Sequence, residues 1–463
     1  MTTSSITISD PAALVFGIAS KPVKCGFELT IGGGEVYPEV NFTLPPLKIS
    51  EELWPTVLTH YRTIGSEVLR RALALQVPGI VLEFELLPAM TERPEWGAEI
   101  TSILHEQMEA TWQKSGLHSA LRVTPTDIRE QGKPPTLRES DPARRLLRSF
   151  QLNAAAGAHI LSVESIGGKE IHDQALMYGD VRGVVFALGV LAPRDMAWLW
   201  DQITAICRSH GSLVAGGDSA CAFANTAMQL AHQHLLPEVL AAVVRAMGAA
   251  RSLVAFEHGA VGPSKDCAYE GPVLKVITGC PISMEGKSAA CAHFSPVGNI
   301  AAAMCDLWSN ESVQNIRLLS GNAPEVFTEV LAYDCRLMNE AAKRGGAVTL
   351  RNWMVASDEW LSPQAAVLSP DATIEIAKAI VGASGDYSRT VAAGRAALKI
   401  LRGGLSDKRL HLNKKECQWL DRIEREFDAL PVDEWTLFDE MRVTYSDLFD
   451  ARSYGLAARK CSG

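Results

Sequence analysis

The sequence predicts an α/β fold, a TIM (β/α)8 barrel with an N-terminal cap and C-terminal helical additions. Three observations predict it. Short apolar runs recur as far as residue 286, each followed by a stretch with helical patterning. Continuous apolar runs suit parallel strands buried on both faces. Eight such units over about 250 to 300 residues match a barrel of this type. The main rival is a doubly wound open sheet, but no G-x-G-x-x-G lies between a strand and a helix to favour it.

The expected strands follow in order. "VKCGFELTI" (23–31) is the first and weakest, then "GIVLEFE" (79–85), "SALRVTP" (119–125) and "HILSVES" (159–165). "GVVFALG" (183–189), "GSLVAGG" (211–217), "RSLVAFE" (251–257) and "PISMEG" (281–286) complete the eight. Between them, "EWGAEITSILHEQMEATWQKSG" and "CAFANTAMQLAHQHLLPEVLAAVVRAMGA" read as helices, each ending near a glycine. After residue 294 the strand signal fades, and "PVGNIAAAMCDLWSNESVQNI", "VFTEVLAYDCRLMNEAAKRG", "PDATIEIAKAIVGA", "YSRTVAAGRAALKILRGG" and "NKKECQWLDRIEREFDAL" read as helices. The expected division is a cap segment 1–50, a barrel 51–300, and closing helices with a C-terminal helical region 301–463.

Composition bounds the function. The chain has 463 residues, 47% hydrophobic and 21% charged, enough for one large barrel plus additions. Its formal net charge is -9 and no block of five or more like charges occurs, which argues against a nucleic-acid partner, because phosphate contacts need a basic face. No run of eighteen apolar residues suggests a membrane span. The N-terminus "MTTSSITISDPAALVFG" lacks the basic, apolar and small-residue order of a secretory signal. The 10 cysteines are scattered through a large chain, which suits free thiols in a reducing cytoplasm, some of them available to a metal.

A barrel carries its active site at the C-terminal ends of its strands. The polar residues ending each run are therefore the candidates: Glu83 and Glu85, Asp127, Glu164, Asp218 with Cys221, Glu257 with His258, Cys267, and Glu285 with Cys291 and His293 beyond it. Cys, Glu and His are usual Zn²⁺ ligands, and a catalytic site keeps three protein ligands and one open position. Without a C-x-x-C or H-E-x-x-H, spacing does not choose among the possible triples. Cys267 is notable because it sits in a polar, glycine-rich loop, "GAVGPSKDCAYEG" (259–271), whereas a structural cysteine belongs in an apolar run. The carboxylates at strand ends could equally cap helices or hold Arg122 or Arg129. Gly167 and Gly168 form either a phosphate cradle or a tight turn beside Glu164.

"HILSVESIGGKE", "GGDSACAFANTAM", "RSLVAFEHGAVGPSKDCAYE" and "PISMEGKSAACAH" resemble the methanol:corrinoid methyltransferase family, the zinc subunit that methylates a cobalamin-carrying partner. The resemblance extends to "GIVLEFE", "PEWGAE", "DIRE", "DLWSNESV" and "VLAYDC" (330–335), and weakens beyond residue 340. It implies one Zn²⁺ per chain held by one Glu and two Cys, which fall on Glu164, Cys221 and Cys267. It also implies methyl transfer from methanol to the cob(I)alamin of a separate corrinoid protein, and a homodimer. The ligand types leave the zinc site net anionic, so an acid assisting the leaving oxygen is expected; Glu83, Asp127 and Asp218 are the candidates. The chain shows no D-x-H-x-x-G of its own for a corrinoid. Two alternatives stay open: the same chemistry on another donor such as a methoxylated small molecule, and a non-catalytic zinc barrel that only binds the corrinoid protein. A larger pocket beside the metal would mark the first, and lost ligands the second.

Overall fold

The computed structural model describes residues 3–43, 49–267, 269–287, 296–313, 317–318 and 321–456. Cys291, His293 and Cys461 lie outside the described residues. An antiparallel hairpin, β1 (Ile18–Cys25) and β2 (Leu29–Gly33), precedes the main sheet. That sheet has seven parallel strands: β3 (Tyr37–Thr43), β4 (Gly79–Glu85), β5 (His118–Thr124), β6 (Ile160–Val163), β7 (Val214–Asp218), β8 (Ser283–Glu285) and β9 (Leu307–Val313). Their spatial order is β7-β6-β5-β4-β3-β9-β8. An extended segment lies beside β7, where Val261 and Gly262 donate backbone N–H groups to Ala215 and Gly216, both at 2.8 Å. On its other side Gly262 approaches Pro281 so closely that a Cβ there would stand 2.6 Å from the Pro281 carbonyl oxygen. Gly262 also has φ +84, which glycine adopts without penalty. This segment occupies the eighth position of the barrel, between β7 and the lead-in to β8.

Strand periodicity explains what fills the barrel. Alternate residues face one side of a strand. Val81, Ala120, Ile160, Val214 and Leu307 form an apolar layer with Val23, Cys25, Leu29 and Ile31 of the hairpin. The hairpin is thus the barrel's floor. Two residues further along the strands come Glu83, Arg122 and Ser162, with Glu39, Ser283 and Ser309 beside them, all buried. Arg122 ties this layer together: its Nε donates to Glu39 at 2.8 Å and its Nη1 to Ser162 at 2.9 Å. The same Nη1 donates to the carbonyls of Pro263 at 3.1 Å and Ser264 at 2.9 Å, anchoring the eighth segment from inside. One step higher the same rows reach Glu85, Thr124 and Glu164, at the mouth.

Three expected strands are corrected, and one expected helix, at "LWSNESV", is a strand. Residues 23–31 make the floor hairpin, and the first barrel strand is β3, "YPEVNFT". It escaped notice because Glu39 and Asn41 point into a polar barrel and break the apolar run. "GVVFALG" lies inside the helical stretch Val181–Ser209, and "RSLVAFE" ends the helix Glu238–Glu257. "GVVFALG" is buried throughout and "RSLVAFE" nearly so, and a run so buried shows neither a helical nor a strand period. "LWSNESV" is β9, where Ser309 faces the polar interior. The sheet therefore reaches past the segment 51–300 at both ends, with β3 before it and β9 after it.

The helices Pro94–Ser115, Ala323–Lys343, Pro370–Val381, Asp386–Ser406 and Lys414–Asp428 occur where the patterning places them. "CAFANTAMQLAHQHLLPEVLAAVVRAMGA" is two helices, Cys221–His232 and Glu238–Glu257, interrupted before Pro237. Val181–Ser209 and Glu238–Glu257 are long and apolar enough to cross a membrane, but 83% and 94% of their apolar windows are buried inside the protein. A helix apolar all round is at home in a large core.

Candidate metal centre

Three loops converge at the barrel mouth. Glu164 follows β6 directly and continues its inward row, Ile160, Ser162, Glu164. Cys221 is the first residue of the helix Cys221–His232, three residues after β7 ends. Cys267 follows the eighth segment. One carboxylate oxygen of Glu164 and the two sulfurs all lie within 4.8 Å of one another. Cys267 Sγ and Glu164 Oε1 are 2.7 Å apart. Both cysteines are buried, and Glu164 keeps 26% of its side chain exposed, so the cluster opens on one side.

Electrostatics favour a cation at this cluster. Burial raises the Cys267 thiol well above its ordinary value, and Cys221 and Glu164 raise it further. The hydrogen bond with Cys267 favours a Cys221 thiolate, yet burial, Glu164 and Glu285 outweigh it and leave that thiol raised too. Burial also raises the Glu164 carboxyl, against the pull of Lys265. Three groups that resist ionising beside one another become good ligands once a divalent ion is present. A tetrahedral zinc with bonds of about 2.0 Å to oxygen and 2.3 Å to sulfur sets its donors about 3.3–3.8 Å apart. Around such an ion the 2.7 Å between Cys267 Sγ and Glu164 Oε1 would open by about 0.8 Å, and three protein donors leave a fourth position open. A second group, Asp266, Cys267 and Glu285, also lies within 4.8 Å. Asp266, however, is already engaged by Lys265, by Asn41 at 3.1 Å, by Ser309 at 3.0 Å and by the Cys267 backbone N–H at 2.9 Å. It fixes the Cys267 loop.

Lys265 is the hub beneath the cluster. Its ammonium touches Asp266 closely, Glu83 at 3.3 Å, Glu85 at 3.4 Å and Glu164 at 3.6 Å. Burial alone would depress this lysine, but the surrounding carboxylates, Asp266 foremost, hold it well above the ordinary value. Burial would raise Asp266, and Lys265 reverses that, so Asp266 is lowered. Glu83 goes the other way: burial and Asp266 push it well above the carboxylate range despite Lys265 and Arg122. Thr124 donates to Glu83 Oε1 at 2.8 Å, while Oε2 has no hydrogen-bond partner among the described residues.

The other candidate acids face elsewhere. Asp127 accepts from Arg129 at 2.7 and 2.9 Å and from the backbone N–H of Ile166 at 3.2 Å. Arg129 also bonds Asp195 twice at 2.8 Å. Asp218 accepts from the backbone N–H groups of Ser165 at 3.2 Å and Ser219 at 2.9 Å, from Trp200 Nε1 at 2.9 Å and from Arg251 at 3.3 Å. These carboxylates flank the turn that carries Glu164 and hold it in place. Glu257 instead binds Arg389 at 2.9 Å, and His258 pairs with Asp201 at 2.8 Å. Both end a helix that returns to the base of β7, far along the chain path from the mouth. Gly167 and Gly168 form the tight turn: the Gly168 N–H donates to Tyr454 Oη at 2.9 Å, and a Cβ on Gly167 would strike Asp195.

Sequence reasoning missed Lys265, Asp266 and Asn225. The first two are adjacent to Cys267 in "PSKDC", where a charged pair inside a glycine-rich loop was the available signal. Asn225 donates from Nδ2 to Cys221 Sγ at 2.7 Å, one helical turn on.

Comparison with known proteins shows what the whole chain is similar to. The family model described as methanol-cobalamin methyltransferase B subunit matches residues 2–455. The chain is 37% identical over 461 residues to the methanol–corrinoid protein co-methyltransferase of Methanosarcina barkeri (strain Fusaro), covering 98% of each. It also resembles a chain in the crystal structure of the methanol:cobalamin methyltransferase complex MtaBC from Methanosarcina barkeri. There the TM-score is 0.93 and the identity 36%, over 98% of this chain and 99% of that one.

Proposed function

The chain belongs to the methanol-cobalamin methyltransferase B subunit family, and from that premise we propose that it transfers the methyl group of methanol to the cob(I)alamin of a separate corrinoid protein, with one Zn²⁺ held by Glu164, Cys221 and Cys267. The observation that carries the metal is the convergence of those three donor atoms within 4.8 Å at the open end of the barrel. The relative named above as part of a complex supports the partner.

Hydroxide leaves carbon badly, so a methyl–oxygen bond needs help at the oxygen and a strong nucleophile at the carbon. Zinc in this site supplies Lewis acidity at the alcohol oxygen. The chain supplies the rest. Glu164 and the two cysteines fix the donor set, and Asp127 and Asp218 hold the turn bearing Glu164. Glu83, whose carboxyl burial and Asp266 push well above the ordinary carboxylate range, is the acid best suited to give a proton to the departing oxygen. In the balanced step the carbon–oxygen bond breaks, the electron pair of cob(I)alamin forms the new carbon–cobalt bond, and the proton turns hydroxide into water. Lys265 keeps the surrounding carboxylates from expelling one another.

The test is methyl transfer from labelled methanol to cob(I)alamin, followed by loss of the cob(I)alamin absorption band. Turnover is expected with zinc, to vanish on chelation, and to return on zinc addition without refolding. Turnover with a methoxylated donor but none with methanol would replace the donor. Silence with every donor and corrinoid protein would remove the methyltransferase reading.

The assembly is expected to be a homodimer that docks a corrinoid protein. Tyr333, Leu337 and Trp353 stand 57%, 59% and 68% exposed on the helices Ala323–Lys343 and Ala347–Asp358, which supports an interface among the helices after β9. Light scattering at micromolar concentration should give twice the chain mass; a monomer would count against it.

A further inference from the structure

We propose that Asn225 determines donor specificity: its side-chain N–H holds the Cys221 sulfur, and its Oδ1 accepts the hydroxyl hydrogen of the alcohol. This rests on the reading that the donor is methanol.

Cys221 and Asn225 are four residues apart on one helix and share a face. Asn225 Nδ2 lies 2.7 Å from Cys221 Sγ. A sulfur that ligates a cation is a thiolate, which accepts hydrogen bonds and has none to give. The amide must therefore turn its NH₂ toward the sulfur, and the bond is charge-assisted. That choice leaves Oδ1 pointing away from the sulfur. Oδ1 is buried and has no hydrogen-bond partner among the described residues. Amide geometry puts it about 2.2 Å from Nδ2, hence within about 5 Å of the ligand sulfur. A buried acceptor without a donor is costly and calls for one. The metal ligands offer no hydrogen once ionised. An alcohol entering the open position brings one O–H; the methyl-bearing oxygen of an ether brings none. A site with an acceptor waiting for that hydrogen rejects the analogue lacking it, because the acceptor then stays unpaired and buried.

The experiment uses the full chain loaded with Co²⁺ in place of zinc. Its sulfur-to-cobalt charge-transfer band reports the thiolates, and its visible bands report entry of a ligand. Methanol should shift the visible bands of the wild type saturably, and dimethyl ether should not. Asn225→Leu should move the charge-transfer band and raise the methanol concentration at half-saturation about tenfold. Asn225→Ala, which relieves any crowding by leucine, should do the same. If the wild type answers methanol and both variants bind it equally well, the proposal is overturned while the methanol reading stands. An unmoved charge-transfer band in both variants overturns the sulfur contact. A wild type that loads cobalt but is silent to methanol overturns the methanol reading itself, and the hydroxyl contact with it.

Discussion

Cys267→Ala should lower zinc affinity on the order of a thousandfold and bring the zinc content of the purified chain from about one to near zero. The sulfur removed is one of three donors, and the Glu164 oxygen that lies 2.7 Å from it loses its nearest partner. Cys221→Ala should do the same from the other side of the cluster. The fold should survive both changes. Cys267 sits in a loop pinned independently by Arg122 on Pro263 and Ser264, and by Asp266 on Asn41 and Ser309. Metal analysis under reducing, zinc-replete conditions, with circular dichroism alongside, reads both halves. A variant that keeps a full equivalent of zinc would remove the three-ligand assignment.

Lys265→Met should cost about 3–5 kcal/mol of stability, the usual consequence of leaving buried charges without their partner. Lys265 is 2% exposed and touches Glu83, Glu85, Glu164 and Asp266. The pH dependence gives the sign. Lys265 holds Asp266 below its ordinary value, so in the wild type that contribution is present above the unfolded pKa and is lost as pH falls through the folded one. Without the ammonium, burial raises Asp266 as it already raises Glu83. A carboxyl with a raised folded pKa binds its proton more tightly when folded, so stability is retained at low pH and lost as pH rises. The deficit of the variant should therefore be large at pH 8 and smaller at pH 5. Denaturant unfolding at the two pH values measures it. An equal deficit at both would mean that the lysine acts through packing of its stem, not through charge.

The three proposed metal ligands lie at ends of elements with strong local signals, but only the family resemblance selected them from the other polar residues at strand ends. Glu164 follows an apolar strand, Cys221 opens a helix after a glycine pair, and Cys267 stands out in a polar loop. The strands were legible where an apolar run survives an inward polar residue. β4 and β5 keep the apolar runs "GIVL" and "SAL" ahead of the inward Glu83 and Arg122, whereas in β3 and β9 Glu39, Asn41 and Ser309 interrupt the short strands themselves. The runs 183–189 and 251–257 are helical but read as strands for the opposite reason: nearly complete burial erases the period that separates helix from strand.

Sequence alone determined the class of fold and the family the chain resembles, and through that resemblance the three proposed donor residues. Each of these depends on local pattern or on short motifs read in order. Only the tertiary structure decided what the acids do. Glu83, Asp127 and Asp218 are alike in sequence, each a carboxylate near a strand end. In the fold Asp127 is bound by Arg129 and Asp218 by backbone N–H groups, Trp200 and Arg251, whereas Glu83 faces Lys265 and has one oxygen without a hydrogen-bond partner among the described residues, 4.0 Å from the Arg122 guanidinium. The charge and proton of a buried carboxyl are set by partners that arrive from distant parts of the chain, here residues 122, 265 and 266 around position 83. No local pattern records those partners, because barrel closure is what brings them together.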